Sequence, residues 1–327
     1  MPSENPVLDS IMPVIAELKY VSINYKNIEK LASKLKDKDL VLPEWREECF
    51  ISNDDSRIID YFFIGNSINF AYIDFDTHEQ FETYYKGKKW SGSFAMFACL
   101  SRALERGIDI LDPKLLQLID RKTVRKIFTG NIEIPLLDER VEILHEIGKV
   151  LKEKYNGSFY NLAKRSEFYC FDNGNGIIEK LVKDFPSFND ISIFRDSNGK
   201  EHELKFYKRA QLSIAQTYTR LHNTNIFPIK DIDELTVFAD YYIPASLRNF
   251  GILQYSKNLE EKINKGKLIE KDSREEQEIR ASTLWSSYLL ECEISRRGEK
   301  VNAVKIDYFL WKRKENKVHH LCRTIAY

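Results

Sequence analysis

Apolar residues recur at three- and four-residue steps along most of this chain, and that periodicity limits it to a mainly helical fold. The pattern predicts seven helices. They are Val14–Leu35 (weakened at Tyr20–Tyr25), Ser93–Leu104, Asp138–Lys154, Phe206–Leu221, Asp233–Tyr242, Ser246–Ile263 and Glu275–Arg296. The sequence therefore predicts a mainly α protein with few and short strands.

Strand-like alternation occurs in two short regions. Ile68–Ile73 alternates after the turn-forming pair Gly65–Asn66, and Phe81–Tyr85 would add a further strand. The second region is Ile191–Phe206, with a hairpin turn at Asp196–Gly199. We expect a small antiparallel sheet beside the helices.

The composition is that of a globular protein, with 43% hydrophobic and 31% charged residues, 13 glycines and 9 prolines among 327 residues. A chain of this length forms one large domain or two closely fused ones. We expect a single unit over residues 1–327, or two interlaced subdomains. The sheet-bearing part would lie around 55–100 and the helical catalytic part around 135–327.

The charges balance, with 50 basic and 50 acidic residues. A general nucleic-acid binder would normally carry a basic excess, because phosphate neutralisation supplies its affinity. A small anionic ligand needs only one or two local cations. The balance therefore favours a nucleotide-sized substrate over a stable nucleic-acid partner.

The chain carries no sign of export or membrane insertion. Its first residues include Glu4 and Asp9 without an apolar segment, and apolar runs such as Phe94–Leu100 are too short to span a bilayer. The five cysteines are scattered without CxxC or Cys/His spacing, which is typical of reduced thiols. We expect a soluble cytoplasmic protein.

Familiar cofactor and metal motifs are absent from the sequence, which contains no Walker loop, GxGxxG, HExxH or GxSxG. The adjacent histidines His319 and His320 would point apart, so we do not expect them to bind a metal. We predict a site without cofactor or metal, in which carboxylates, lysines, aromatic rings and amides carry the chemistry.

Asp240 is the first catalytic candidate. Apolar residues at helical spacing place it in the last turn of a predicted helix, because Pro244 disfavours continuation of the helix. The helix dipole opposes a carboxylate there, and aromatic neighbours add a desolvation cost, so an acid at this position indicates function. The alternative is an ion pair with Arg248 or another cation.

Lys208 is the second catalytic candidate. It lies at the margin of the apolar strip of the helix predicted over Phe206–Leu221, where its ammonium can reach the edge of a cavity. The alternative is a surface lysine whose carbon chain covers apolar residues.

Aromatic and polar residues near the first strand and near the C-terminus are candidates for base recognition. Phe70 and Trp90 can stack on a planar base, and Asn69 and Ser91 can bond its edge. Asp307 lies in a similar mixture of acid and aromatic residues. The alternative for each aromatic residue is a place in the core.

The pattern around these residues resembles the queuosine salvage protein family, the queuosine 5′-phosphate N-glycosylase/hydrolases. Phe206–Gln211 is followed by Phe238–Tyr241, and further matching segments in the same order cover most of the chain. These segments are Ile68–Phe70, Ser101–Leu104, Phe185–Phe188, Tyr255–Ser256, Glu278–Arg280, Trp285 and Asp307–Trp311. Each segment alone is weak, but the ordered set is specific.

The resemblance implies a helical fold similar to the helix-hairpin-helix DNA glycosylases, with a small antiparallel sheet. It implies hydrolysis of queuosine 5′-monophosphate to queuine and ribose 5-phosphate. Asp240 matches the catalytic aspartate and Lys208 the active-site lysine, and Tyr255 joins the expected substrate contacts. Asn66 and Tyr242 depart from an acid and an arginine that are frequent in the family.

Other functions stay open on the residues alone. They are a DNA glycosylase-like enzyme, a nucleoside phosphorylase, and a helical nucleic-acid-binding module without catalysis.

Overall fold

The structure is a computed structural model that describes residues 5–313 and 318–327. Its helices are α1 Pro6–Ile15, α2 Tyr25–Ala32, α3 Arg57–Ser67, α4 Gly92–Glu105, α5 Pro113–Leu118, α6 Arg121–Ile127, α7 Leu137–Lys154, α8 Phe159–Arg165, α9 Ile177–Asp184, α10 Lys208–Leu221, α11 Tyr242–Asn249, α12 Lys257–Asn264, α13 Arg274–Arg296 and α14 Ala303–Trp311. Its strands are β1 Val21–Ile23, β2 Glu82–Tyr85, β3 Lys88–Ser91, β4 Ile191–Arg195, β5 Glu201–Lys205 and β6 Leu253–Tyr255. Short 3₁₀ helices lie at Asp37–Asp39, Pro186–Phe188 and Ile232–Glu234. None of these helices combines the length and apolar character that crossing a bilayer requires.

The described chain divides into two compact units. Unit 1 contains residues 5–43, 190–208, 233–313 and 318–323, and unit 2 contains residues 44–189, 209–232 and 324–327. The subdomain boundaries expected from the sequence, around 55–100 and 135–327, stay a prediction.

Unit 1 is organised around α13, a helix of 23 residues. The Ser273 side chain accepts a hydrogen bond from the Glu276 backbone N–H at its start, and Glu275 and Glu276 place negative charge near its first turn. Helices α1, α2, α11 and α14 pack against α13. Two small antiparallel sheets, β1 with β6 and β4 with β5, complete the unit.

Unit 2 contains α3 to α9, the hairpin of β2 and β3, and α10 from Arg209 onward. Helices α5 and α7 pack closely, and Gly148 on α7 permits that approach. A Cβ atom at Gly148 would lie 2.6 Å from the carbonyl oxygen of Pro113. The close contact therefore requires a residue without a side chain.

The mainly helical character predicted from the sequence is confirmed. The helices predicted over residues 93–104, 138–154, 206–221 and 275–296 correspond to α4, α7, α10 and α13. The hairpin predicted within residues 191–206 is formed by β4 and β5.

The long helices predicted over residues 14–35 and 246–263 are wrong. In each segment two helices are separated by a short strand, β1 in the first and β6 in the second, and these strands pair with each other. Gly251, at a φ of 67°, reverses the chain after α11. Periodicity within one segment does not reveal that pairing, because the two strands are far apart in sequence.

The strand predicted over residues 68–73 and the turn at residues 65–66 are also wrong. Gly65 and Asn66 belong to α3, and the chain after α3 is irregular up to a single bridge between Ile73 and Gln80. The buried Arg140 guanidinium donates to the carbonyl oxygens of Ile68, Phe70 and Ala71. A side chain thus satisfies the carbonyls that a neighbouring strand would otherwise bond.

Candidate active site

Asp240 lies just before α11, so the helix predicted over residues 233–242 is wrong. Its Oδ1 atom accepts hydrogen bonds from the backbone N–H groups of Tyr242, at 2.7 Å, and Ile243, at 3.0 Å. Pro244 lies in the first turn of α11, where proline is tolerated, and marks the beginning of a helix and not its end. The helix dipole therefore favours a negative charge at Asp240, which is the reverse of the argument made from the sequence.

The residues before Asp240 are buried although they form no helix. Residues 235–239 are all buried, and the Phe238 backbone N–H donates to the Oδ1 atom of Asp307, at 2.8 Å. The Asp240 side chain itself is half-buried. Within the described chain, no group donates a hydrogen bond to its second carboxylate oxygen, Oδ2. That oxygen is therefore available to a substrate or a water molecule.

Asp307 lies on α14 and is 9% exposed. Burial raises the pKa of its carboxyl group well above the ordinary value, and the nearby charge of Asp240 raises it further. The Phe238 N–H and the Lys208 ammonium oppose that rise in the pKa of Asp307. Asp240, Asp307 and Lys208 therefore lie close enough together in unit 1 to influence one another.

Lys208 is the first residue of α10 and is only 5% exposed, so the surface-lysine alternative does not hold. The preceding residue, Tyr207, has a φ of 49°, which costs a residue with a side chain about 1–3 kcal/mol. The Asp190 carbonyl oxygen accepts from the N–H groups of Phe206, at 3.0 Å, and Tyr207, at 3.4 Å. The Asp190 Oδ2 atom also accepts from the Lys208 N–H, at 3.2 Å. Asp190 thus fixes the chain that carries Lys208.

Asp190 forms a buried ion pair with Arg280 on α13. The guanidinium donates to Oδ1 at 2.8 Å and to Oδ2 at 2.6 Å. The same guanidinium donates through Nε to the carbonyl oxygen of Ala239, at 3.2 Å, and lies 3.9 Å from the centre of the Phe206 ring. One arginine therefore contacts the chain beside both catalytic candidates.

The histidine pair borders the same segment of unit 1. The His319 ring lies 4.7 Å from the Tyr241 ring and 5.3 Å from the Tyr242 ring, between centroids. His320 is buried, and burial together with nearby positive charge lowers its pKa to about 3. Among the described residues, no group of three or more His, Cys, Asp or Glu side chains has the geometry to bind a metal ion.

The sequence does not predict the ion pair of Asp190 with Arg280 or the contact of His319 with Tyr241 and Tyr242. Asp190 belongs to no motif in the sequence, and Arg280 is only the last residue of the matching segment Glu278–Arg280. Asp190 and Arg280 are 90 positions apart, so no local spacing connects them.

Tyr255, an expected substrate contact, lies on β6 in unit 1. The Arg248 guanidinium lies 4.4 Å from the centre of its ring, and burial raises the pKa of its hydroxyl group. Arg248 also bonds Glu260, at 3.1 Å, and the Val318 carbonyl oxygen, at 2.8 Å. The alternative in which Arg248 pairs with Asp240 is not observed among the described contacts.

The expected base contacts Asn69 and Phe70 belong to unit 2. Asn69 joins a buried chain of hydrogen bonds, donating to Asn66 and accepting from Tyr72, each at 2.7 Å. Phe70 is 1% exposed, with the Arg140 guanidinium 4.3 Å from its ring centre. Their role in binding a base stays a prediction.

The other two expected base contacts, Trp90 and Ser91, lie on β3 in unit 2. The Trp90 indole donates to the Tyr85 carbonyl oxygen at 3.2 Å, and Ser91 is exposed at the start of α4. Their contact with a substrate also stays a prediction.

The raised pKa of Asp307 predicts how stability changes with pH. The folded protein binds a proton at Asp307 at pH values where an unfolded aspartate, with a pKa of about 3.9, has lost it. The Asp307 contribution to stability is therefore present at low pH and is lost as the pH rises. Relative to Asp307→Asn, the wild type should lose up to about 1.4 kcal/mol per pH unit above about pH 4.

Urea unfolding between pH 4 and pH 8 measures this difference. Asp9 is exposed on α1, so Asp9→Asn should give a pH profile parallel to that of the wild type. A parallel profile for Asp307→Asn would contradict the assignment of the raised pKa.

Known proteins match this chain over most of its length. The sequence profile of the family described as queuosine salvage protein matches residues 49–327. A curated relative from Sphaerobacter thermophilus is 31% identical, covering 98% of this chain and 97% of its own. Relatives from Bos taurus and Schizosaccharomyces pombe are each 30% identical, covering 93% and 91% of this chain and 93% and 90% of their own.

Each of these three relatives is named queuosine 5′-phosphate N-glycosylase/hydrolase. The family match includes the positions of Lys208, Asp240 and Asp307, the residues that unit 1 brings together. This chain belongs to the queuosine salvage protein family.

Proposed function

We propose that this chain hydrolyses the N-glycosidic bond of queuosine 5′-monophosphate and releases queuine and ribose 5-phosphate. The observation that carries the proposal is the gathering of Asp240, Asp307 and Lys208 in one site of a chain whose curated relatives bear that activity in their names.

Asp240 provides the charge that this reaction needs. As the bond between C1′ and the base nitrogen breaks, its electron pair leaves with the base and positive charge develops on the ribose. An anion beside C1′ stabilises that transition state more than the ground state. The Oδ1 atom of Asp240 is held by the α11 amides, which leaves Oδ2 to face the sugar or the water.

Water completes the reaction. Its oxygen bonds to C1′ as one proton passes to Asp240, and that proton then neutralises the departing base. A covalent bond between Asp240 and C1′, hydrolysed in a second step, is the alternative role for the same carboxylate. Water, a carboxylate and a cation suffice for either route, so the proposal includes no cofactor and no metal.

Asp307 is suited to contact the leaving base, and Lys208 is suited to contact the phosphate. The leaving base is a 7-deazapurine, which has no N7 that could be protonated to help its departure. Polar contacts to the edge of the base must therefore contribute to activating it as a leaving group. The raised pKa of Asp307 favours the neutral acid, which can donate a hydrogen bond to the base. We propose that Lys208 binds the 5′-phosphate or supports the carboxylates electrostatically.

We also propose that Asn69, Phe70, Trp90, Ser91 and Tyr255 contact the substrate, as the sequence predicts. The finer fold assignment, a helix-hairpin-helix DNA-glycosylase-like arrangement, is supported by the helical composition and the family match. The scattered cysteines, which have no CxxC spacing, support a cytoplasmic location. The balanced charge supports a free nucleotide substrate and no stable nucleic-acid partner.

The proposal predicts release of queuine from queuosine 5′-monophosphate. The enzyme is incubated separately with this nucleotide, with queuosine and with a queuosine-bearing RNA, each in ¹⁸O-labelled water. The masses of the products are then measured by mass spectrometry. We expect queuine from the nucleotide and one labelled oxygen on ribose 5-phosphate. Release of no base from any substrate would contradict the proposal.

Three added assays, with phosphate, with duplex DNA and with a polynucleotide at increasing salt, identify the alternative functions. Turnover that requires added phosphate indicates a phosphorylase, and base release from duplex DNA indicates a DNA glycosylase. Polynucleotide binding that weakens steeply with salt, without base release, indicates a binding module.

Asp240→Asn should slow base release by about 100- to 1,000-fold, because one preorganised electrostatic group contributes about that much. The fold should persist, since the asparagine oxygen can still accept from Tyr242 and Ile243. The measurement is kcat for queuine release, with Asp9→Asn as a matched control. Near-normal kcat in a folded Asp240→Asn protein would rule out the assignment.

A further inference from the structure

A fully buried arginine of unit 2, Arg140, lies in the first turn of α7. Its Nη1 atom donates to the carbonyl oxygen of Ile68, and its Nη2 atom donates to those of Phe70 and Ala71, the latter at 2.9 Å. The carbonyls of Ile68 and Phe70 belong to the residues on either side of Asn69. One guanidinium therefore fixes the backbone on both sides of a residue that we expect to contact the substrate.

The chain beside Asn69 is strained. Ala71 has a φ of 42°, in the left-handed region that disfavours a residue with a β-carbon. In an extended strand the carbonyls of consecutive residues point to opposite sides, but here Phe70 and Ala71 both direct their carbonyls to the same nitrogen of the guanidinium. Strained residues persist only where surrounding contacts hold them, and they cluster at functional sites.

Further contacts hold the same segment. The Ala71 N–H donates to the carbonyl oxygen of Tyr327, at 3.2 Å. The Asn69 side-chain oxygen accepts from the Tyr72 hydroxyl, and its nitrogen donates to Asn66, each at 2.7 Å. The side chain of Asn69 is thus oriented as well as its backbone, so a ligand would meet an amide that is already in place.

The position of Arg140 is unfavourable for a cation. Its Nε atom donates to the carbonyl oxygen of Pro135, at 3.1 Å, so its charge lies close to the beginning of α7. The helix dipole disfavours positive charge there, and burying a guanidinium costs free energy. Among the side chains, only a guanidinium presents five N–H donors in a fixed plane. An arginine kept at this position therefore indicates that its several donors to the backbone are required.

We propose that Arg140 is a positioning residue, which holds Asn69 in the orientation that bonds the edge of the substrate base. Arg140 is buried and acts through the backbone of residues 68–71, not through contact with the substrate. The proposal rests on the proposed function, because it takes Asn69 as a substrate contact.

Kinetics of queuine release from queuosine 5′-monophosphate by Arg140→Gln test the proposal. A contact to the base edge that is made both before and during bond breaking affects mainly KM. Because displacements of about 1 Å can cost about 100-fold, we expect KM to rise by about 10- to 100-fold and kcat to fall by less than about three-fold. A loss of stability alone lowers the folded fraction and leaves KM unchanged.

Arg140→Lys is the conservative variant, which keeps the charge and up to three donors. It should restore part of the contact, with a KM about 3- to 10-fold above that of the wild type. This variant also keeps the proposal testable if Arg140→Gln does not fold.

Arg220→Lys is the matched control. Arg220 is also a buried arginine of unit 2, and it donates to the carbonyl oxygens of Ile51, at 3.1 Å, and Asn53, at 3.3 Å. It therefore holds a different segment by the same kind of contact. We expect Arg220→Lys to lower stability and to leave KM unchanged.

Combining Arg140→Lys with Asn69→Ala shows whether the arginine acts through Asn69. If it does, the double variant should raise KM by no more than about two-fold beyond the larger single effect. Single effects that multiply in the double variant would show that the two residues act independently.

Three results would overturn the proposal. They are an unchanged KM in the folded Arg140 variants, an equal rise of KM in Arg220→Lys, and single effects that multiply in the double variant. Each of these requires a wild type that releases queuine, so each would contradict the role of Arg140 alone. A wild type that releases no base would contradict the proposed function together with this one.

Discussion

The arrangement of the candidate site depends on one buried ion pair, between Asp190 and Arg280. Burying two charges costs several kcal/mol each, and this cost is offset only when the geometry is good and the remaining hydrogen bonds are made. Both conditions hold, because the pair is bidentate and each partner also bonds the backbone. Asp190 holds the N–H of Lys208, and Arg280 holds the carbonyl of Ala239, so two distant segments are fixed by the same contact.

The surroundings of the two aspartates in the candidate site favour different charge states. Asp240 is half-buried at the beginning of α11, where backbone N–H groups and the helix dipole favour negative charge. Asp307 is buried beside it, and its raised pKa favours the neutral acid. A charged carboxylate and a neutral acid in one site are what a glycosidase needs to stabilise the ribose cation and to bond the departing base.

The sequence predicted the mainly helical fold because amphipathic helices such as α7 and α13 keep one apolar face over many turns. It failed where distant segments pair, as β1 does with β6, and where the Arg140 side chain replaces a strand partner. For Asp240 the sequence identified the candidate through a wrong physical argument, since Pro244 begins a helix that it was expected to end. Asp190 and Arg280 could not be found from spacing, because only folding brings them together.

A double-mutant cycle on Asp190 and Arg280 tests this account most directly. The variants Asp190→Asn, Arg280→Gln and their combination are compared with the wild type by kcat/KM for queuine release, normalised to the folded fraction at each temperature. If the pair acts as one unit that positions Lys208 and Asp240, the double variant should be little slower than the slower single one. The coupling energy should then exceed about 1 kcal/mol. Effects that add within about 0.5 kcal/mol would show that the two residues act independently and would contradict the account.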